Sequence, residues 1–192
     1  MENFLQLLIF GLAGYLFGSL TPSIWIVKAI KDKDLRDHGS GHAGTTNTIR
    51  QAGWFAGLVV LVVDIAKGFI PVWLAMTFSS SDFSPFMAGV SAVIGHCWPI
   101  FARFRGGMGL ATAGGAILAY QPLGFPVAVA LLILIILITK HRARATLITV
   151  LLLPPLFFAL GFNVLTFWMM SGITVIIFIR FIKDWNRIYN GI

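Results

Sequence analysis

Apolar residues fill seven stretches of the chain, approximately 4–27, 54–78, 86–101, 109–120, 123–139, 146–160 and 163–180, and short polar connections separate them. Apolar runs of this kind predict transmembrane helices, each needing about 20 residues to cross roughly 30 Å of hydrocarbon. The fourth stretch is the weakest. At ~1.5 Å per residue it falls short of that thickness and predicts a segment that is tilted, extended by loop residues or re-entrant. Residues 1–27 lack a basic start, and their apolar run is longer than the core of a signal peptide, so they read as a first span and not as a cleavable leader.

Composition agrees with the pattern. Of 192 residues, 58% are hydrophobic and 11% charged, against about a quarter charged in an ordinary soluble domain. The expectation is an all-α integral membrane protein of about seven transmembrane helices, a single domain over 1–192 with no room for a soluble one. The lone cysteine, Cys97, excludes an internal disulfide and, within an apolar run, reads as a small buried hydrophobe.

Charge adds orientation. Of the 14 lysines and arginines, all but Lys67 fall in four regions, 28–50, 103–105, 140–144 and 180–187. The alternate connections near 79–85, 121–122 and 161–163 hold none. Seven spans with the N-terminus outside and the C-terminus cytoplasmic put every basic region on the cytoplasmic side, as the positive-inside rule requires. The net charge of +7 then reflects topology and contact with anionic lipid or phosphate; nucleic-acid binding is a poor reading for basic residues confined to short loops of a membrane protein. Four histidines without a carboxylate cluster show no metal-site pattern.

Two of the basic regions carry candidate chemistry. Gly39-Ser40-Gly41-His42-Ala43-Gly44-Thr45-Thr46-Asn47-Thr48-Ile49-Arg50 reads as a polar loop in which glycines expose backbone N–H groups, hydroxyls add donors and Arg50 adds a guanidinium, a set suited to phosphate. Gly95 to Thr112 again places glycines (Gly106, Gly107, Gly109) beside cations (Arg103, Arg105) ahead of a helix, whose N-terminus favours anions. His96 in that segment is a candidate general base. Asp64 and Lys67, at i and i+3 in the second apolar stretch, can pair, either as a packing device or with Lys67 facing a substrate cavity. The run Lys31-Asp32-Lys33-Asp34-Leu35-Arg36-Asp37 is nearly charge-balanced and reads as a solvated face.

Gly39–Arg50, Asp64–Gly68 and Gly95–Thr112 resemble, in order and spacing, the motifs of the bacterial acyl-phosphate-dependent glycerol-3-phosphate acyltransferases. The resemblance implies transfer of an acyl group from acyl phosphate to glycerol 3-phosphate at the cytoplasmic face of the bacterial inner membrane, giving lysophosphatidate for phospholipid synthesis, with no metal or other cofactor. It implies that Ser40, Gly41, Thr46, Asn47, Arg50, Gly106, Gly107 and Lys67 bind substrate or phosphate. His96 and Arg105 would stand beside the same pocket, and His42 would serve as a base if it reaches the acceptor hydroxyl. An apolar groove would hold the acyl chain. Several residues depart from the family pattern. His42 replaces an asparagine, Thr45 an alanine, Arg105 and Met108 lysines, Phe181 a histidine and Asp184 an asparagine; Arg142 and Arg144 lie where the family has a serine. These departures open one alternative, a catalytically weakened member that binds lipid-phosphate precursors; the facing glycine loops and the intramembrane Asp64 and Lys67 open another, an anion transporter.

Overall fold

The computed structural model describes residues 2–187, and among these every regular element is helical. The first apolar stretch forms two helices, α1 (Glu2–Gly18) and α2 (Pro22–Lys31). Pro22 causes the break: it has no N–H to continue the ladder of α1, and its fixed φ suits the first turn of a new helix. The polar segment that follows contains a 3-10 turn at Leu35–Asp37 and then α3 (Thr45–Ala52). The second half of the expected loop is therefore helical, because no glycine or proline interrupts the chain between Gly44 and Gly53. Arg50 thus projects from a helix.

The remaining helices are α4 (Trp54–Phe78), α5 (Ser84–Cys97), α6 (Leu110–Tyr120), α7 (Gly124–Thr139), α8 (Arg142–Ala159) and α9 (Val164–Phe181). All seven apolar stretches are helical, but they are not equivalent. Among the described residues, five segments are long and apolar enough to cross a bilayer: the α1–α2 pair, α4, α5 with the turn after it, α8, and α9 with the turn after it. Helices α6 and α7 have 11 and 16 residues, or ~16 and ~24 Å. The fifth stretch is therefore short as well as the fourth.

Lipid provides no hydrophobic drive for helices to associate, so close backbone approach must do so, and small residues permit it. Gly14 and Gly18 of α1 lie against the backbone of Ala88 and Ala92 in α5. Gly68 of α4 lies against the Thr112 carbonyl of α6, and Gly115 of α6 against the Ile65 carbonyl of α4. A Cβ at any of the four would run into backbone that cannot move aside. Gly115→Leu should therefore force α6 from α4 and lower stability by about 1–3 kcal/mol or more, read as a depressed unfolding midpoint in detergent.

The four basic regions meet at one end of the bundle. Arg36 donates to the carbonyls of Ala102 (2.6 Å) and Arg105 (3.2 Å). Arg180 donates to those of Gly107 (3.1 Å) and Gly106 (3.3 Å), and Arg144 reaches the Asn186 side chain at 2.9 Å. The far end holds an uncharged cluster in which Ser79 Oγ lies 2.7 Å from both Gln6 Oε1 and Ser84 Oγ. Each helix pair (α4–α5, α6–α7, α8–α9) thus carries the chain away from the basic end and back to it.

Candidate active site

A cavity of about 510 Å³ is walled by the polar segment before α3, by α3 itself, and by parts of α4–α9. Part of its lining is polar and cationic: Ser40, His42, Thr45, Thr46, Arg50 and Arg142. The rest is apolar, with Leu61, Ile65, Ile117, Phe125, Leu132, Leu153 and Met170 among its walls. The expected apolar groove is present and is continuous with the polar pocket.

Asn47 shapes the first loop. Its buried amide Nδ2 lies 3.1 Å from each of the carbonyls of Leu35, His38 and His42, and its Oδ1 accepts from Ser40 N (3.3 Å) and Gln51 Nε2 (3.0 Å). Although it lines the cavity, its side chain is committed to the loop backbone. Gly39 and Gly41 have φ of 62° and 74°, a region that costs little only without a Cβ. They flank Ser40 and turn the chain so that this serine reaches the wall.

The Lys31–Asp37 run is not merely solvated. Arg36 forms a fork with Asp34 (Nη2–Oδ2 2.7 Å, Nε–Oδ1 3.0 Å) while its Nη1 holds the Ala102 carbonyl of the second loop. Its side chain is only 12% exposed. The hydrogen bond and charge of Arg36 pull the Asp34 carboxyl down to about 2, so the strut is intact throughout the neutral range.

The second loop docks against the first through glycines. Gly106 O accepts from Ala43 N at 3.4 Å, and Gly107 N donates to His96 O at 3.1 Å. A Cβ on Gly107 would strike the Ala43 carbonyl and His96 Nε2. His96 lines the cavity and is buried, with Nδ1 3.1 Å from Thr112 Oγ1 and 3.7 Å from Asp64 Oδ1. Asp64 in turn pairs with Lys67 at 2.9 Å, and Lys67 Nζ donates to the Leu20 carbonyl at 2.7 Å. That carbonyl lies at the break between α1 and α2, where the helix ladder leaves it without a backbone donor.

The structure therefore brings Ser40, His42, Thr46, Asn47, Arg50 and His96 together around one cavity. Gly41, Gly106, Gly107 and Lys67 do not line it; the glycines shape the loops that do, and Lys67 braces the break between α1 and α2. Arg105 is turned outward, 62% exposed and 3.6 Å from Asp37. Met108 is at the wall where the family pattern has a lysine, and Arg142 supplies a cation there from the N-terminus of α8. Helix α8 continues inward with Thr146 and Thr149, an i, i+4, i+7 polar stripe that was readable in the sequence. Among the described residues, the hydroxyls of Thr45 and Thr149 have no hydrogen-bond partner in the protein.

His42 Nε2 lies 3.7 Å from Oδ2 of Asp184, in the 3-10 turn after α9. Burial lowers the His42 pKa, and nearby Arg180 and Arg187 add to this while Asp184 opposes it. The balance favours the neutral ring.

A cationic, hydroxyl-lined pocket running into an apolar groove, inside a bundle of lipid-length helices, defines an integral membrane enzyme for a substrate with an anionic head and a greasy chain. The family model for glycerol-3-phosphate acyltransferase matches residues 8–191, and the chain belongs to that family. Relatives called glycerol-3-phosphate acyltransferase are 36% identical in Enterococcus faecalis, covering 97% of this chain and 90% of the relative, and 35% identical in Listeria welshimeri, covering 97% and 95%. The fold is similar to the crystal structure of PlsY (YgiH), an integral membrane glycerol 3-phosphate acyltransferase, in its glycerol 3-phosphate form. The TM-score is 0.85 and the identity 32%, over 94% of this chain and 90% of that one. The lysophosphatidic acid form of the same enzyme gives a TM-score of 0.81 at 29% identity, over the same shares of the two chains.

Proposed function

We propose that this protein transfers an acyl group from acyl phosphate to the 1-hydroxyl of glycerol 3-phosphate, releasing lysophosphatidate and inorganic phosphate for phospholipid synthesis. The observation that carries the reading is that phosphate donors and an apolar groove share one continuous cavity. One substrate is anionic throughout and the other joins a phosphate to an acyl chain, so both need that junction.

Ser40, Thr45, Thr46, Arg50 and Arg142 engage the two phosphates. Gly41, Gly106 and Gly107 let the loops approach, Asn47 and His96 hold them in register, and Lys67 braces the α1–α2 break behind Asp64. Arg105, facing outward, attracts anionic lipid or incoming substrate without entering the pocket. Acyl phosphate is already activated, so placing the reactants and offsetting phosphate charge accounts for most of the catalysis. The substrates are drawn from the cytoplasm and the inner leaflet of the bacterial inner membrane. The basic end faces inward, the N-terminus lies outside, and the single domain crosses about seven times with α6–α7 as its shortest hairpin.

Purified protein in detergent or lipid, given palmitoyl phosphate and radiolabelled glycerol 3-phosphate, should form labelled lysophosphatidate and an equal amount of phosphate. Absence of product with any polyol phosphate, at high enzyme loading, would defeat the reading.

A further inference from the structure

Resting on that reaction, we propose that His42 and Asp184 form a proton-accepting dyad for the acceptor hydroxyl, with His42 as the base and Asp184 as the positioning residue that sets its tautomer.

Two histidines line the cavity among the described residues, His42 and His96. At His96 the Nδ1 is engaged, facing Thr112 and Asp64, while the Nε2 lies beside the Gly107 backbone without a carboxylate next to it. His42 is held differently. Its side chain is 22% exposed at the cavity wall, and its Nε2 points to a carboxylate whose own side chain is 9% exposed. Arg187 Nη1 approaches the other oxygen of that carboxylate at 3.4 Å, steadying Asp184 so that Oδ2 is presented to the ring. A carboxylate facing Nε2 selects the Nε2–H tautomer and leaves the lone pair on Nδ1. The 3.7 Å separation is longer than a formed hydrogen bond, so Asp184 acts on the ring through its charge. Phe181, also at the wall, offers no proton acceptor.

The step balances within the two substrates and the dyad. The acceptor's C1 oxygen bonds to the acyl carbonyl carbon as its proton passes to His42 Nδ1. The bond from acyl carbon to phosphate oxygen breaks, and phosphate leaves with the bonding pair. Protonated His42, its charge stabilised by Asp184, then returns the proton to the departing phosphate and is neutral again. The groups that face His42 and set its titration are Asp184, which favours the charged ring, and Arg180 and Arg187, which oppose it together with burial.

The test compares kcat against pH, with both substrates saturating, for the parent protein, His42→Gln and Asp184→Asn. His42→Gln should lower kcat about 100-fold and remove the component of the acid limb due to the ring. Asp184→Asn takes away the charge that favours the imidazolium, so its acid limb should move to lower pH, while kcat falls about tenfold and KM for glycerol 3-phosphate changes little. A limb at the same pH in all three proteins, or a kcat for His42→Gln within threefold of the parent, overturns the dyad. Either result leaves the parent's acyl transfer standing. If Asp184→Asn does not fold, His42→Gln alone decides.

Discussion

Lys67→Met should be the most destabilising single substitution in the membrane-spanning part of this protein. Lys67 and Asp64 are 3% and 2% exposed, so neither can turn to water when its partner is removed. Breaking a buried pair from one side costs about 3–5 kcal/mol, because the remaining charge stays buried without compensation. The Leu20 carbonyl loses its donor as well, and an unsatisfied buried acceptor adds about 1–3 kcal/mol. The double variant Asp64→Asn/Lys67→Met leaves no stranded charge and should recover much of the loss. Thermal or denaturant unfolding in detergent measures both. An unchanged midpoint for Lys67→Met would show that the pair does not brace the α1–α2 break.

Arg50→Ala should lower kcat/KM for acyl transfer by about 10²–10³-fold, the range seen when one fixed donor to developing negative charge is removed. Arg50 lines the cavity from α3, as does Thr46 one turn earlier on the same helix, and Ser40 and Arg142 line it from other elements. Arg50→Lys keeps the charge but not the planar fork and should restore part of the activity. The informative contrast is Arg105→Ala. That side chain is outside the cavity and mostly solvated, so kcat should stay within threefold of the parent at saturating substrate. Equal losses at the two positions would mean that the second loop turns inward during turnover.

Several elements were legible before any coordinates. In a bilayer every backbone N–H and C=O must be satisfied within its own segment, so long, largely apolar runs such as 54–78 and 163–180 have little choice but helix. Positive charge resists translocation, so the positions of the basic residues alone gathered 28–50, 103–105, 140–144 and 180–187 on one face. Glycine and hydroxyl patterning likewise marked the two loops that meet at the cavity. The Asp64–Lys67 spacing marked an ion pair, although not its reach to Leu20.

Other features depend on which distant atoms meet. Arg36 and Arg105 look alike in the sequence, yet Arg36 is a buried strut because Ala102 and Asp34 offer it oxygens, while Arg105 is left at the surface with Asp37. Asn47 looks like a ligand and is instead the keystone of its loop. His42 acquires meaning only when the chain's end brings Asp184 beside it. The chain alone determined that this is a helical membrane protein with a cationic face and phosphate-suited loops, because hydropathy and charge act through lipid on each segment separately. Only the tertiary structure decided which cations face the pocket and which carboxylate each histidine there meets. Those outcomes turn on ångström-scale contacts between loops far apart in sequence, and on the glycines that let those loops touch.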